Sequence, residues 1–227
     1  MGQTIYIPTE GVRWISAYRA DPPGLPLGGI VVVQEIFGVN PHIRRVVDGF
    51  AARGYAAIAP AVFDHVETGV ELGYDAAGIE HGRALAAEVG FASAVTDVAS
   101  AAVAIAAAGP VGVAGYCWGG SVAYLCAARL GLPAVSYYGA RTVPLLGVKP
   151  RAPLMLHFGE KDPLISPEDV QKHREALPGA EIHVYPAGHG FNCDARADHE
   201  PQSAALALER TLDFFTRHFG TLEPFRA

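Results

Sequence analysis

The chain has 227 residues, of which half are hydrophobic and 18 % charged, and its formal net charge is −6. That apolar content excludes a disordered chain, and the length suits one domain able to bury a sheet on both faces. The negative balance, with no basic run longer than Arg44-Arg45, excludes an electrostatic nucleic-acid binder.

Ile5-Tyr6-Ile7 and Val12 to Tyr18 read as short strands joined by a turn at Gly11, and Asp21 to Pro26 as a loop of turn formers. Ile30 to Gln34 is a continuous β-branched run, which predicts a strand buried on both faces. Asn40-Pro41 supplies an N-cap and a first-turn proline for a helix to Arg53, which Gly54 stops. Tyr55 to Ala59 is the next apolar strand. Ala61 to Tyr74, carrying Asp64-His65, reads as an exposed irregular loop. Gly78 to Glu88 and Ala92 to Ala108 read as helices, and Val111 to Ala114 as a short strand. Gly119 to Leu130 is a helix ended by Gly131-Leu132-Pro133. Strands follow at Val135 to Tyr138 and Leu154 to Phe158. Ser166-Pro167-Glu168-Asp169 opens a helix, Ile182 to Tyr185 is the last strand, and Pro201 to His218 is an amphipathic closing helix. The alternation predicts an α/β fold with a mostly parallel sheet, helices on both faces, and a single domain over residues 1–227.

Val98 to Ala128 carries no charge and is long enough to suggest a membrane helix. Gly109-Pro110, Gly112, Gly115 and Gly119-Gly120 break it into helix, strand, turn and helix, so no membrane association is expected. The N-terminus shows no basic stretch followed by an apolar one, and no signal peptide is expected. Three cysteines, Cys117, Cys126 and Cys193, are too few for a disulfide framework, and a cytoplasmic location follows.

Ligands of open α/β sheets bind beyond the carboxyl ends of the strands. Four predicted strand ends lead into Glu35-Ile36-Phe37-Gly38, Gly115-Tyr116-Cys117-Trp118-Gly119-Gly120, Gly159-Glu160-Lys161-Asp162 and Gly188-His189-Gly190. They offer two carboxylates, a thiol and an imidazole, the parts of a nucleophilic site. Gly115 to Gly119 has the form G-x-C-x-G between strand and helix, the context of a nucleophile elbow. The turn is too sharp for a Cβ at its flanks, and the helix start favours a thiolate at Cys117. The Trp118 N–H would face a developing oxyanion. The order nucleophile, acid, histidine is that of α/β-hydrolases. His189 would carry the thiol proton and Asp162 would orient the imidazole, with Glu160 the competing carboxylate. Cys126 reads as core and Cys193 as a bystander in a polar loop. His42, His173, His183, His199 and His218 read as surface residues and His157 as a core residue. No histidine pair has metal-ligand spacing and no G-x-G-x-x-G follows a strand, so no metal and no cofactor are expected.

With Gln34-Glu35-Ile36-Phe37-Gly38-Val39-Asn40, the cysteine elbow, Gly159-Glu160-Lys161-Asp162-Pro163 and Gly188-His189-Gly190-Phe191, the chain resembles the dienelactone hydrolase family of α/β-hydrolases over nearly its whole length. The resemblance implies an α/β-hydrolase fold without a cap domain. It implies a Cys117-His189-Asp162 triad that hydrolyses a small ester or lactone through a thioester acyl-enzyme. It also implies backbone oxyanion donors at Ile36 and Trp118, and a Glu35 carboxylate that controls thiol protonation. The family holds a substrate carboxylate with two arginines. One of their positions is occupied here by Cys193, which leaves Arg83 and Arg196 as candidates. Phe37, Tyr74, Trp118 and Phe191 would line a mostly apolar pocket. A monomer acting on a small molecule is expected. The competing reading is a hydrolase-fold protein whose thiol senses oxidants or ligands without turnover.

Overall fold

In the computed structural model the described residues are 1–10 and 13–220. Gly11 and Val12, read as a turn and the start of a strand, lie outside them. Eight strands occur: β1 (Gln3–Thr9), β2 (Arg13–Ala20), β3 (Gly29–Val33), β4 (Ala56–Pro60), β5 (Val111–Tyr116), β6 (Ala134–Tyr137), β7 (Leu154–Gly159) and β8 (Glu181–Tyr185). Their order in the sheet is β1-β2-β4-β3-β5-β6-β7-β8. β1 pairs with β2 and β2 with β4 antiparallel, whereas β3–β4, β6–β7 and β7–β8 are parallel. The helices are α1 (Pro41–Ala51), α2 (Ala76–Ala104), α3 (Trp118–Arg129), α4 (Pro167–Ala176) and α5 (Pro201–Phe219). The chain divides into two compact units after Val113, within β5.

The first unit holds β1 to β4, α1 and α2. Every residue of β3 and β4 is buried, as a strand covered on both faces requires. Removing each Val or Ile side chain of β3 from water stabilises the fold by about 1.5–3 kcal/mol. Asn40 caps α1 by accepting from the Ile43 N–H at 3.1 Å, and Pro41 opens the helix as its sequence predicts. The two helices expected between residues 78 and 108 meet in one span, α2, kinked at Gly90 (φ 68°, ψ 170°). That left-handed φ favours glycine. Ala106–Ala108 is a separate 3₁₀ turn, so the second helix ends four residues early. By length and composition α2 could cross a membrane. Here it packs on β1, β3 and β4.

The segment expected to be an exposed loop after β4 is anchored at its start. Val62–His65 forms a 3₁₀ turn that buries Val62 and Phe63. The Ser16 N–H and hydroxyl donate to Asp64 Oδ2 at 2.8 and 2.6 Å, and His65 Nε2 lies 2.9 Å from Asp97 Oδ2. Glu67 to Gly69 remain exposed.

In the second unit, α3 has all of its first eleven residues buried. Ser166 caps α4 through the Asp169 N–H at 3.2 Å. His157 is buried in β7, as expected. Arg210 can only donate, so the Tyr185 hydroxyl accepts from it at 3.1 Å and donates to His157 Nδ1 at 2.8 Å. The Nε2–H then donates to Thr211 Oγ1 at 3.1 Å. Two histidines depart from the surface reading: His42 in the first unit and His173 in the second are buried. His173 Nδ1 donates to the Asp169 carbonyl at 2.6 Å, and its Nε2 lies 2.5 Å from Thr142 Oγ1. Such a ring is fully partnered inside, which helix periodicity alone does not reveal.

Candidate active site

β5 runs into α3 with a single residue, Cys117, between them. Its backbone sits at φ 53° and ψ −118°, a region that L-residues rarely occupy. Two hydrogen bonds hold it there. The Cys117 N–H donates to the Tyr137 carbonyl at 2.9 Å, and the Gly120 N–H donates to the Cys117 carbonyl at 2.9 Å. A Cβ at Gly115 would overlap the Gly119 carbonyl, so that flank of the elbow admits only glycine. Trp118 is the first residue of α3, so the sulfur stands at the positive end of the helix.

Asp162 follows β7 and His189 follows β8. His189 Nδ1 lies 2.7 Å from Asp162 Oδ2, and Nε2 lies 3.2 Å from Cys117 Sγ. The other Asp162 oxygen accepts the Leu164 N–H at 2.8 Å, which pins the carboxylate. One group thus makes an Asx turn and orients the imidazole. Asp162 and His189 are both buried, whereas Glu160 is exposed. Burial alone would lower the pKa of His189. The Asp162 carboxylate and the Cys117 sulfur outweigh it and push the imidazole up to about 10. The arrangement can hold a proton between sulfur and nitrogen and can stabilise the imidazolium. Burial pushes the thiol of Cys126 upward, which fits a core residue.

Tyr138 was not legible as part of this site. It follows β6 with φ 40°, is fully buried, and packs edge-to-face with His189 at 5.2 Å between centroids. Its available signal was position, since it directly follows another strand end. Phe191 is buried between Tyr138 and Tyr185, with centroids 5.5 and 5.1 Å away. Arg196 lays its guanidinium against Gly190, where a Cβ would come within 2.8 Å, and its side chain is only 17 % exposed. Cys193 departs from the polar-loop reading. It is fully buried, because its N–H donates to the Gly190 carbonyl at 2.9 Å and turns the chain inward.

In the first unit, Glu35 is fully buried just beyond β3. Ile36 is half-buried, and Phe37 is buried against Tyr74 in an edge contact at 4.5 Å. Arg83 is exposed on α2 and is not drawn into this group.

The profile of the dienelactone hydrolase family matches residues 15–219. The chain is 37 % identical over 231 residues to an Azospirillum brasilense protein provisionally named carboxymethylenebutenolidase, covering 95 % of this chain and 99 % of that one. It is 34 % identical over 226 residues to the carboxymethylenebutenolidase of Pseudomonas putida, covering 91 % and 95 %. A crystal structure from Klebsiella pneumoniae, of a protein provisionally named a dienelactone hydrolase, superposes with a TM-score of 0.86 at 32 % identity, over 96 % of this chain and 98 % of that one. With the mostly parallel sheet and the cysteine elbow, these likenesses establish that the chain belongs to the dienelactone hydrolase family.

Proposed function

We propose that this protein hydrolyses a small ester or lactone through Cys117, by way of a thioester acyl-enzyme. The observation that carries the reading is the line from Cys117 Sγ through His189 to Asp162, 3.2 and 2.7 Å long, built on a strained elbow. His189 Nε2 holds the proton given up by the thiol as the sulfur attacks the carbonyl carbon. The N–H groups of Ile36 and Trp118 receive the oxyanion. Collapse of the tetrahedral adduct breaks the acyl–oxygen bond, and His189 returns the proton to the departing alkoxide. Water, deprotonated by the same imidazole, then attacks the thioester and regenerates Cys117. Asp162 keeps Nδ1 protonated throughout and balances the charge of the imidazolium. Each step uses groups of the chain and water.

Glu35 opposes a resting thiolate by its charge, so the sulfur becomes nucleophilic mainly when substrate displaces the carboxylate. Relatives named for the opening of a carboxymethylene-substituted butenolide favour a lactone as substrate. Arg196, beside the residue that follows His189, is the better candidate of the two arginines for a substrate carboxylate. Phe37, Tyr74, Trp118 and Phe191 supply the apolar contacts. The test is hydrolysis of p-nitrophenyl acetate and of a small lactone panel by the wild type, Cys117→Ala and His189→Ala. Turnover lost in both variants supports the reading, and turnover retained in Cys117→Ala refutes it.

A further inference from the structure

The loop after β3 carries Glu35, Ile36 and Phe37, and it is fastened within the first unit from two sides. On one side lies the segment 70–74. Gly38 forms an isolated antiparallel bridge with Glu71, and the Leu72 N–H donates to the Phe37 carbonyl at 3.0 Å. Gly38 has φ +79°, and a Cβ there would overlap the Val70 carbonyl, so loop and segment touch backbone to backbone. Arg44 locks the same junction. Its Nη1 donates to the Val39 carbonyl at 2.9 Å, and its two terminal nitrogens grip both oxygens of Glu71 at 2.6 and 2.8 Å. On the other side is α2, where a Cβ at Gly82 would overlap the Ile36 carbonyl.

Stability does not explain this hardware well. The Arg44–Glu71 pair is 31 % and 44 % exposed, where an ion pair adds little to folding. A two-point grip on one exposed carboxylate, with a third bond to the loop's own carbonyl, fixes a position. Gly82 acts in the same sense, because the close approach leaves the Ile36 carbonyl no room to move toward α2, and that carbonyl is one Cα away from the Ile36 N–H.

We propose that the segment 70–74, Arg44 and Gly82 form a brace that sets the loop backbone from Ile36 to Val39 and, through it, the direction of the Ile36 N–H, which makes Gly82, Arg44 and Glu71 positioning residues for ester hydrolysis. The inference rests on the reading of Ile36 as an oxyanion donor. Such a donor works only when aimed at the place where charge develops, and a misplacement of about 1 Å can cost about 100-fold in rate. The brace acts on the transition state more than on substrate binding, so its loss lowers kcat and leaves KM nearly unchanged.

The experiment compares p-nitrophenyl acetate hydrolysis with alkylation of Cys117 by iodoacetamide, which needs the thiolate and no oxyanion donor. In Gly82→Ala, kcat falls about 10- to 100-fold with KM within about twofold. Alkylation stays at least as fast as in the wild type, because the triad is untouched. Arg44→Met removes the outer grip without any steric clash and lowers kcat about 3- to 10-fold, and Arg44→Lys, which keeps the charge but not the fork, falls between. If Gly82→Ala does not fold, the Arg44 variants decide. With Cys117→Ala inactive, kcat within twofold of wild type in Arg44→Met and in any folded Gly82→Ala overturns the brace alone. So does a parallel fall of turnover and alkylation, which would mark general damage to the site. Turnover surviving in Cys117→Ala overturns the hydrolase reading and the inference with it.

Discussion

Among the described residues, two histidines bond a buried aspartate, one in each unit, and their surroundings differ. In the second unit Asp162 holds His189 through Nδ1, which leaves Nε2 pointing at a sulfur 3.2 Å away. In the first unit Asp97 takes the Nε2 of His65 with both oxygens, at 3.0 and 2.9 Å, and the Thr9 hydroxyl donates to the same carboxylate at 2.7 Å. Burial pushes the Asp97 carboxyl upward, against the pull of His65 and Thr9. That cluster ties β1, the 3₁₀ turn and α2 together. On the proposed function, a histidine bonded to an aspartate is therefore not by itself a mark of catalysis. The marks are which nitrogen the carboxylate takes, and whether a nucleophile on a strained turn faces the other one.

Breaking each pair separates the roles. His189→Ala should lower ester turnover by about 10³-fold or more, because proton transfer to and from the sulfur is lost. His65→Ala should leave turnover within a few-fold and lower stability by about 1–3 kcal/mol, read from urea unfolding, since the buried Asp97 loses a partner. A smaller but still large effect is expected from Asp162→Asn, about 10² to 10⁴-fold in kcat, with Asp97→Asn changing kcat little. If Glu35 opposes the thiolate as proposed, Glu35→Gln should raise the iodoacetamide labelling rate of Cys117 several-fold at neutral pH. An unchanged or slower rate would count against that role.

The smallest effect is in the pH dependence of stability. His189 has a raised folded pKa, about 10, so its contribution is full below the unfolded value near 6.5 and is lost as pH rises toward 10. His157 has the opposite sign. Burial first, then the nearby His183 and Arg210, push it well below 6.5. Its folded state holds fewer protons than its unfolded state, so its contribution is present above about 6.5 and is lost as pH falls, by up to about 1.4 kcal/mol per pH unit. His157→Asn should flatten the acid limb of a stability–pH curve and leave the alkaline limb in place.

Much of the fold was legible because hydrophobic period and punctuation are local. Ile30 to Gln34, whose strand ends one residue earlier, and Leu154 to Phe158 could only be buried strands, and Asn40-Pro41 and Ser166-Pro167 marked helix starts that the structure keeps. The elbow and the neighbourhoods of Asp162 and His189 were legible because each follows a strand end. What escaped depends on partners far away in sequence. Asp64 and His65 looked like loop residues until Ser16 and Asp97 filled their hydrogen bonds. His42 and His173 share the covered faces of their helices with Ile43, Val47 and Phe50 and with Val170, and their polar residue type hid that placement. The two helices read on either side of Gly90 are both present, with its non-helical backbone between them, and only the end of the second, at Ala104, fell short of the expected Ala108. Tyr138 was missed because an aromatic after a strand reads as core, and only its φ of 40° and its contact with His189 set it apart.

In the proposed reaction Cys117 carries the acyl group. The direct measurement is intact-protein and peptide mass spectrometry after rapid acid quenching of the enzyme with excess p-nitrophenyl acetate. The expected result is one acetyl group on the peptide containing Cys117, formed at least as fast as turnover and absent from Cys117→Ala. An acetyl group on another residue at the turnover rate, or full turnover in Cys117→Ala, would contradict it.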